Sequence, residues 1–294
     1  MNNKILLMVS AFVLSTVLYC CKNGNTSHIG PKEDIVSTKI TKPLVSEILN
    51  DGKTKSNRHG INTDQDDWYW KNTQMSKNNI FENWGFGQVD VVMVYRYLQN
   101  ETIPKTLKIG HIDNKGSITI NLPKTIQTET KLGNLQNLVF YDIQDIGKFN
   151  YTNAASGYFG KTTLNVEQNG KVIGNLTLGN SVRTTYNLTN QSTLTMGDEG
   201  YIISWAYLDE FASLQGIENT KNTVRRDETK TIEAENSVVY NLDFKPGWNL
   251  VKTEVIGKYD LEHERGLNAS WFKKHVHSVV AEIPEDAAYF FRSN

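Results

Sequence analysis

The sequence predicts an all-β, antiparallel β-sandwich fold. Three observations carry the prediction: apolar and polar residues alternate with period two in run after run from Gly85 onward, turn-forming dipeptides separate those runs, and helical periodicity is scarce. Alternating runs joined by tight turns each bury one face, and faces of that kind stack as sheets. A chain of 294 residues supplies enough core for one large sandwich or two modest ones.

The first residues set the expected compartment. Lys4 gives a positive start, and Ile5 to Leu18 is an apolar run interrupted only by Ser10, Ser15 and Thr16, the pattern of a signal peptide over residues 1–20. A spanning helix needs about 20 apolar residues, and this run stops short of that. Leu18-Tyr19-Cys20-Cys21 then resembles a bacterial lipobox, with Leu18 leading, small Cys20 before the cut and Cys21 as the acylated cysteine. The resemblance implies a diacylglycerol thioether on Cys21, and such acyl chains hold a soluble domain to a bilayer. Residues 21–62 read as the lipidated Cys and a flexible tether, rich in Lys, Asn, Ser and Thr, with Pro31 and Pro43. Both cysteines sit at the export junction, so the mature chain is expected to carry no disulfide. A net charge of −1 without a basic stripe supplies no counterion-release term, so nucleic acid is not an expected partner.

Past the tether, Asp64, Asp66 and Asp67 crowd against Trp68, Tyr69 and Trp70. A calcium loop of the EF-hand kind needs Gly at its sixth position and Glu at its twelfth; counting from Asp64 gives Tyr69 and Met75. Two readings remain: a sugar-stacking platform of flat aromatic faces beside carboxylates, and aromatics folded inward over the edge of the first sheet.

Strands follow in order. Gln88 to Leu98 is rich in Val and Tyr; Lys105 to His111 and Ser117 to Leu122 flank a turn at Asp113, Asn114 and Gly116; Pro123 ends the third strand and Leu135 to Ile143 makes a fourth. The loop Asn150 to Gly157 divides an expected N-terminal β domain, 63–150, from a C-terminal one, 151–294. Beyond it, Lys161 to Gln168 and Lys171 to Leu178 form a hairpin across Asn169-Gly170. Thr184 to Leu188 and Ser192 to Met196 read as weaker strands, and Tyr201 to Leu208 puts Tyr201, Ile203, Trp205 and Tyr207 on one face. Glu218 to Glu235, with mixed charges and Arg225-Arg226, reads as a solvated loop. Ser237 to Ile256 reads as a core hairpin about a type II turn at Pro246-Gly247, and Trp271 to Ile283 and Pro284 to Phe291 close the chain as strands. The units expected from this count of hairpins are immunoglobulin-like or transthyretin-like, one large or two in tandem.

Three stretches carry a wider resemblance: Gly110 to Pro123 (GHIDNKGSITINLP), Ser204-Trp-Ala-Tyr-Leu-Asp209 with Gly216 following, and Asp243-Phe-Lys-Pro-Gly-Trp-Asn249. With the anchor, they resemble uncharacterised lipoproteins of Bacteroidota-type bacteria. The resemblance implies an envelope lipoprotein with β-sandwich structure and brings no site residue with it. Surface-directed members often carry acidic residues soon after the lipidated Cys, and Lys22-Asn-Gly-Asn25 has none, which points to an outer-membrane protein facing the periplasm.

For chemistry, His275-Val-His277 has the period-two spacing that places both imidazoles on one strand face, where a metal could be chelated with His263 as a third ligand and Glu262 and Glu264 nearby. The competing reading is an exposed strand face, with Phe272, Val276 and Val280 marking the buried side. There is no Gly-x-Ser-x-Gly elbow and no phosphate-binding glycine loop, and no cofactor is expected. The sequence therefore favours a non-catalytic binding or structural module, anchored to the membrane through its lipid and taking a glycan, a peptide or an envelope protein as partner. An envelope hydrolase or metal-binding protein with a site near His263, His275 and His277 is the alternative.

Overall fold

The structure is a computed structural model that describes residues 67–95, 105–134, 143–190, 197–225, 230–262 and 268–294, all within the compact unit Asp34–Asn294. Its strands are β1 (Thr73–Met75), β2 (Val89–Tyr95), β3 (Lys105–Ile112), β4 (Ile118–Ile120), β5 (Thr130–Lys131), β6 (Phe149–Thr152), β7 (Gly157–Lys161) and β8 (Leu164–Gln168). They continue with β9 (Lys171–Gly179), β10 (Gly200–Leu208), β11 (Ala212–Arg225), β12 (Thr231–Phe244), β13 (Gly247–Glu262), β14 (Asn268–Val280) and β15 (Ala288–Ser293). Two helices are described, α1 (Asp67–Trp70) and α2 (Val182–Asn190).

The fold is all-β and of sandwich type: a large mixed sheet, not closed into a barrel, doubles over two cores. One part runs β4-β3-β2-β8-β9, with β15 on the other edge of β9 and β1 beyond β15. The other runs β10-β13-β14-β12-β11-β6, with β7 beside the end of β10 and β5 outside β7. The parts join where Leu178 and Gly179 of β9 pair with Ile203 and Ile202 of β10. Pairings β1/β15 and β2/β8 also link strands from either side of residue 150, where two segments were expected to divide.

Strand β10 explains how two cores coexist. Tyr201, Ile203 and Trp205 face the first core with Val91, Met93, Leu164, Leu176 and Phe291, while Ile202, Ala206 and Leu208 face the second with Leu214, Leu242, Val251 and Phe272. The expected face of Tyr201, Ile203 and Trp205 is there, and the opposite face is buried as well. A strand covered on both sides carries apolar residues at successive positions, as Tyr201-Ile-Ile203 does.

Two turns follow their sequence signals closely. Asn169 and Gly170 have φ of 50° and 74°, the doubled positive φ of a type I′ hairpin. Gly247 has φ 87°, the value the third residue of a type II turn requires.

Three expectations are corrected. Thr184 to Leu188 is helix, not strand: Ser181 caps α2, its Oγ accepting from the Thr184 N–H at 3.3 Å, and the threonines satisfy their hydroxyls on the preceding turn, Thr185 to Ser181 O at 2.8 Å and Thr189 to Thr185 O at 2.7 Å. The charged stretch expected as a loop from Glu218 is mostly two long paired strands, β11 and β12; Lys221 sits opposite Glu235 and pairs with it at 2.7 Å, while Ala234, Asn236 and Val238 on the other face are buried. Alternation puts Lys221, Glu233 and Glu235 outside and leaves Glu218 on the buried face, so composition suggested solvation and geometry delivered a strand. Last, β12 and β13 are joined by the expected turn yet are not hydrogen-bonded as a hairpin. Strand β14 lies between them, antiparallel to β13 and parallel to β12.

Candidate functional site

The residues expected to form sites are dispersed. Cys21, Asp64, Asp66 and His263 lie outside the described residues. Asp67 and Trp68 lie in the single turn of α1. Tyr69, at 1% exposure, is withdrawn into a small core with Val182 and Phe290; its hydroxyl donates to Asn187 Oδ1 at 3.0 Å and the Arg183 guanidinium covers its ring at 4.7 Å. Trp70 packs edge-on against Phe290. Tyr69 therefore follows the inward reading: α1 docks on α2 and the ring seals the contact. Beneath it, Asp198 draws together Arg183 at 2.9 Å, Asn187 at 2.9 Å and Ser270 at 3.1 Å.

His275 and His277 do share a face of β14, and that face is fully buried rather than exposed. Phe272 stacks on His275 at a centroid distance of 3.6 Å, and Tyr240 stacks on His277 at 4.2 Å; Thr253 Oγ1 and His277 Nδ1 share a hydrogen bond of 3.0 Å. The strand's parity slips where Lys273 lies against Gly257, a glycine with φ 68°. Both Lys273 and Lys274 face solvent there, so Phe272 and His275, three apart, reach the same side. Among the described residues, no group of three or more His, Cys, Asp or Glu side chains converges as metal ligands would.

The arrangement best suited to a ligand is elsewhere. Strand β14 ends at Val280, between the two strands that the Lys245-Pro246 turn connects, and residues 281–283 leave the sheet beside that turn. A cleft of about 670 Å3 opens there. Leu122, Trp205, Trp248, Leu250, Val280 and Ile283 form its apolar lining. Trp205, Leu250 and Val280 are register partners along one row of β10, β13 and β14, on the face turned to the first core. On β12 this face comes out from under the other layer, so Asn241 and Asp243 are exposed while Leu242 and Phe244 between and after them are buried.

Hydrogen bonding sorts the polar lining into used and spare groups. Asn249 is consumed by the turn: its Oδ1 accepts from Lys245 N at 3.1 Å and its Nδ2 donates to the carbonyls of Lys245 and Gly247 at 2.8 and 3.0 Å. The Trp248 indole donates to the Pro123 carbonyl at 2.8 Å, which fastens the loop carrying Leu122 over the cleft, and Asp243 accepts from Gln215 at 3.1 Å. Asn241, Lys245 and Glu282, all exposed, make no side-chain bond among the described residues. The indole N–H of Trp205, a residue 1% exposed, has no acceptor among them either. A buried donor without an acceptor costs about 1–3 kcal/mol.

A second cavity of about 450 Å3 beside α2 is lined by Thr73, Thr177, Thr185, Thr189 and Arg292, whose guanidinium lies over Tyr186 at 4.4 Å. Much of that lining already serves α2. The sequence showed both tryptophans of the first cleft, in SWAY and PGWN, but as core. What it could not show is the insertion of β14, which sets Trp205, Leu250 and Val280 side by side.

Comparison with known proteins gives no match: no family model, no curated protein and no solved structure matches the chain.

Proposed function

We propose that this chain is a lipid-anchored protein of the bacterial envelope, held at the periplasmic side of the outer membrane through Cys21, that serves as a non-catalytic binding module. The observation that carries the binding role is the cleft at the end of β14, with an apolar lining and spare polar side chains at its rim. Concave sites of about 300–1,000 Å3 with a few convergent polar groups are the usual form of small-molecule sites. The anchor rests on Leu18-Tyr19-Cys20-Cys21 and the apolar run before it.

Replacing Cys21 by Ser tests the anchor. The substituted protein should leave the membrane fraction and take up no labelled fatty acid, and retention with labelling intact would overturn the assignment. The binding role is tested by incubating the protein with ligands that raise its melting temperature. Such ligands should be recovered unchanged, and turnover would convert the proposal into an enzyme.

A further inference from the structure

We infer that the cleft between Trp205, Trp248 and Glu282 takes a neutral saccharide. The inference rests on the binding-module reading and deepens it by naming the ligand class.

Four features of the cleft select among ligands. Its lining is aromatic and aliphatic, which suits the C–H faces of a sugar ring. Its spare groups include both donors, the Asn241 amide and the Lys245 ammonium, and acceptors, the Asn241 carbonyl and Glu282 carboxylate. Hydroxyl groups donate and accept together, so a polyhydroxylated ligand can meet this mixed set.

Charge argues next. Asp243 and Glu282 stand against Lys245 alone, so an anionic ligand meets net repulsion at the rim. Topology argues against an extended peptide. Peptides commonly dock by adding a strand to a free sheet edge. Where β14 ends, the backbone without a second strand partner is short, Leu242–Phe244 of β12, Gly247–Asn249 of β13 and Val279–Val280 of β14, and the turn braced by Asn249 closes the gap after three residues. The cleft thus offers side chains and little free backbone. Recognition falls to stacking and to side-chain hydrogen bonds, the means by which a sugar is held.

The test uses the full chain, kept in a detergent without a sugar headgroup, and a panel of soluble neutral oligosaccharides built from glucose, galactose, mannose and N-acetylglucosamine. Acidic uronate oligomers and a mixed peptide library run beside them, with saturation-transfer NMR and calorimetry as readouts. At least one neutral oligosaccharide should bind, and Asn241→Ala should weaken it about five- to tenfold, the factor for one hydrogen bond. Asn241 is exposed and makes no side-chain bond among the described residues, so this variant keeps its fold. Neutral saccharide binding that Asn241→Ala leaves unchanged overturns the inference. So does preference for the acidic oligomers. Peptide binding without saccharide binding, sensitive to Asn241→Ala, also overturns it while leaving the binding-module reading intact. Silence from all three ligand classes sinks both.

Discussion

The Oδ1 of Asp113 accepts from the N–H groups of Lys115 and Ser117 at 2.8 and 2.9 Å, closing the turn between β3 and β4 around Gly116. Those bonds, Ser117 first, favour the ionised carboxyl and hold it below its ordinary value of 3.8. A depressed folded-state value means the contribution is complete above the ordinary value and is lost as pH falls through the lowered one. Asp113→Asn keeps an acceptor but cannot ionise, so its urea midpoint should fall less steeply than the wild-type midpoint from about pH 5 to about pH 2. Matching slopes would show that the turn does not discriminate charge. Glu218 presents a buried counterpart: at 1% exposure, it accepts from the backbone N–H groups of Gln144 and Asp145 at 2.6 and 2.7 Å, pinning the 3-10 turn Ile146–Lys148 to β11. Glu218→Gln turns one acceptor oxygen into a donor facing a donor, and should cost about 1–3 kcal/mol by chemical denaturation. Thr253→Val, which removes the hydroxyl beside His277 Nδ1, should cost a comparable ~1–2 kcal/mol.

Among elements, the turn joining β12 to β13 gives the cleanest test of a backbone requirement. A Cβ at Gly247 would meet no atom within 4 Å, so Gly247→Ala isolates the cost of φ 87°, about 1 kcal/mol in thermal or chemical unfolding. Gly110→Ala should cost more, because there a Cβ would run into the Thr119 carbonyl oxygen of the neighbouring strand. These turns were legible because each is set by two or three adjacent residues, Asn169-Gly170 and Pro246-Gly247 above all. The strands on both sides of them were legible too, since alternation is local. Helix α2 was not: Thr184, Thr185 and Thr189 lean towards strand by propensity, and the cap at Ser181 and the buried side chains of Val182, Thr185 and Leu188 outweigh that lean. The cleft was invisible for a different reason. Its tryptophans stand 43 positions apart in the chain, and they meet a row completed by Val280 only through non-local pairing.

At the scale of the whole molecule, β10 belongs to both cores, so neither is expected to melt alone. Ile202 faces one core and Ile203 the other, each fully buried; replacing either by Ala should cost about 2–5 kcal/mol. Both variants should still unfold in one transition, with far-ultraviolet circular dichroism and tryptophan fluorescence coinciding. A biphasic curve in either would show that the two parts fold independently. The placement of β14 bears on how the chain is assembled during synthesis. Strands β12 and β13 leave the ribosome before it, and until it arrives they border a slot one strand wide, about 10 Å between their axes. Two facing edges with unmet N–H and C=O groups are an invitation to foreign strands, and so a point of exposure to chaperones and to aggregation. The same slot makes the protein divisible: a fragment of residues 1–267 and a second of residues 268–294, which carries β14 and β15, should reassemble when mixed, by complementation rather than by refolding of a single chain.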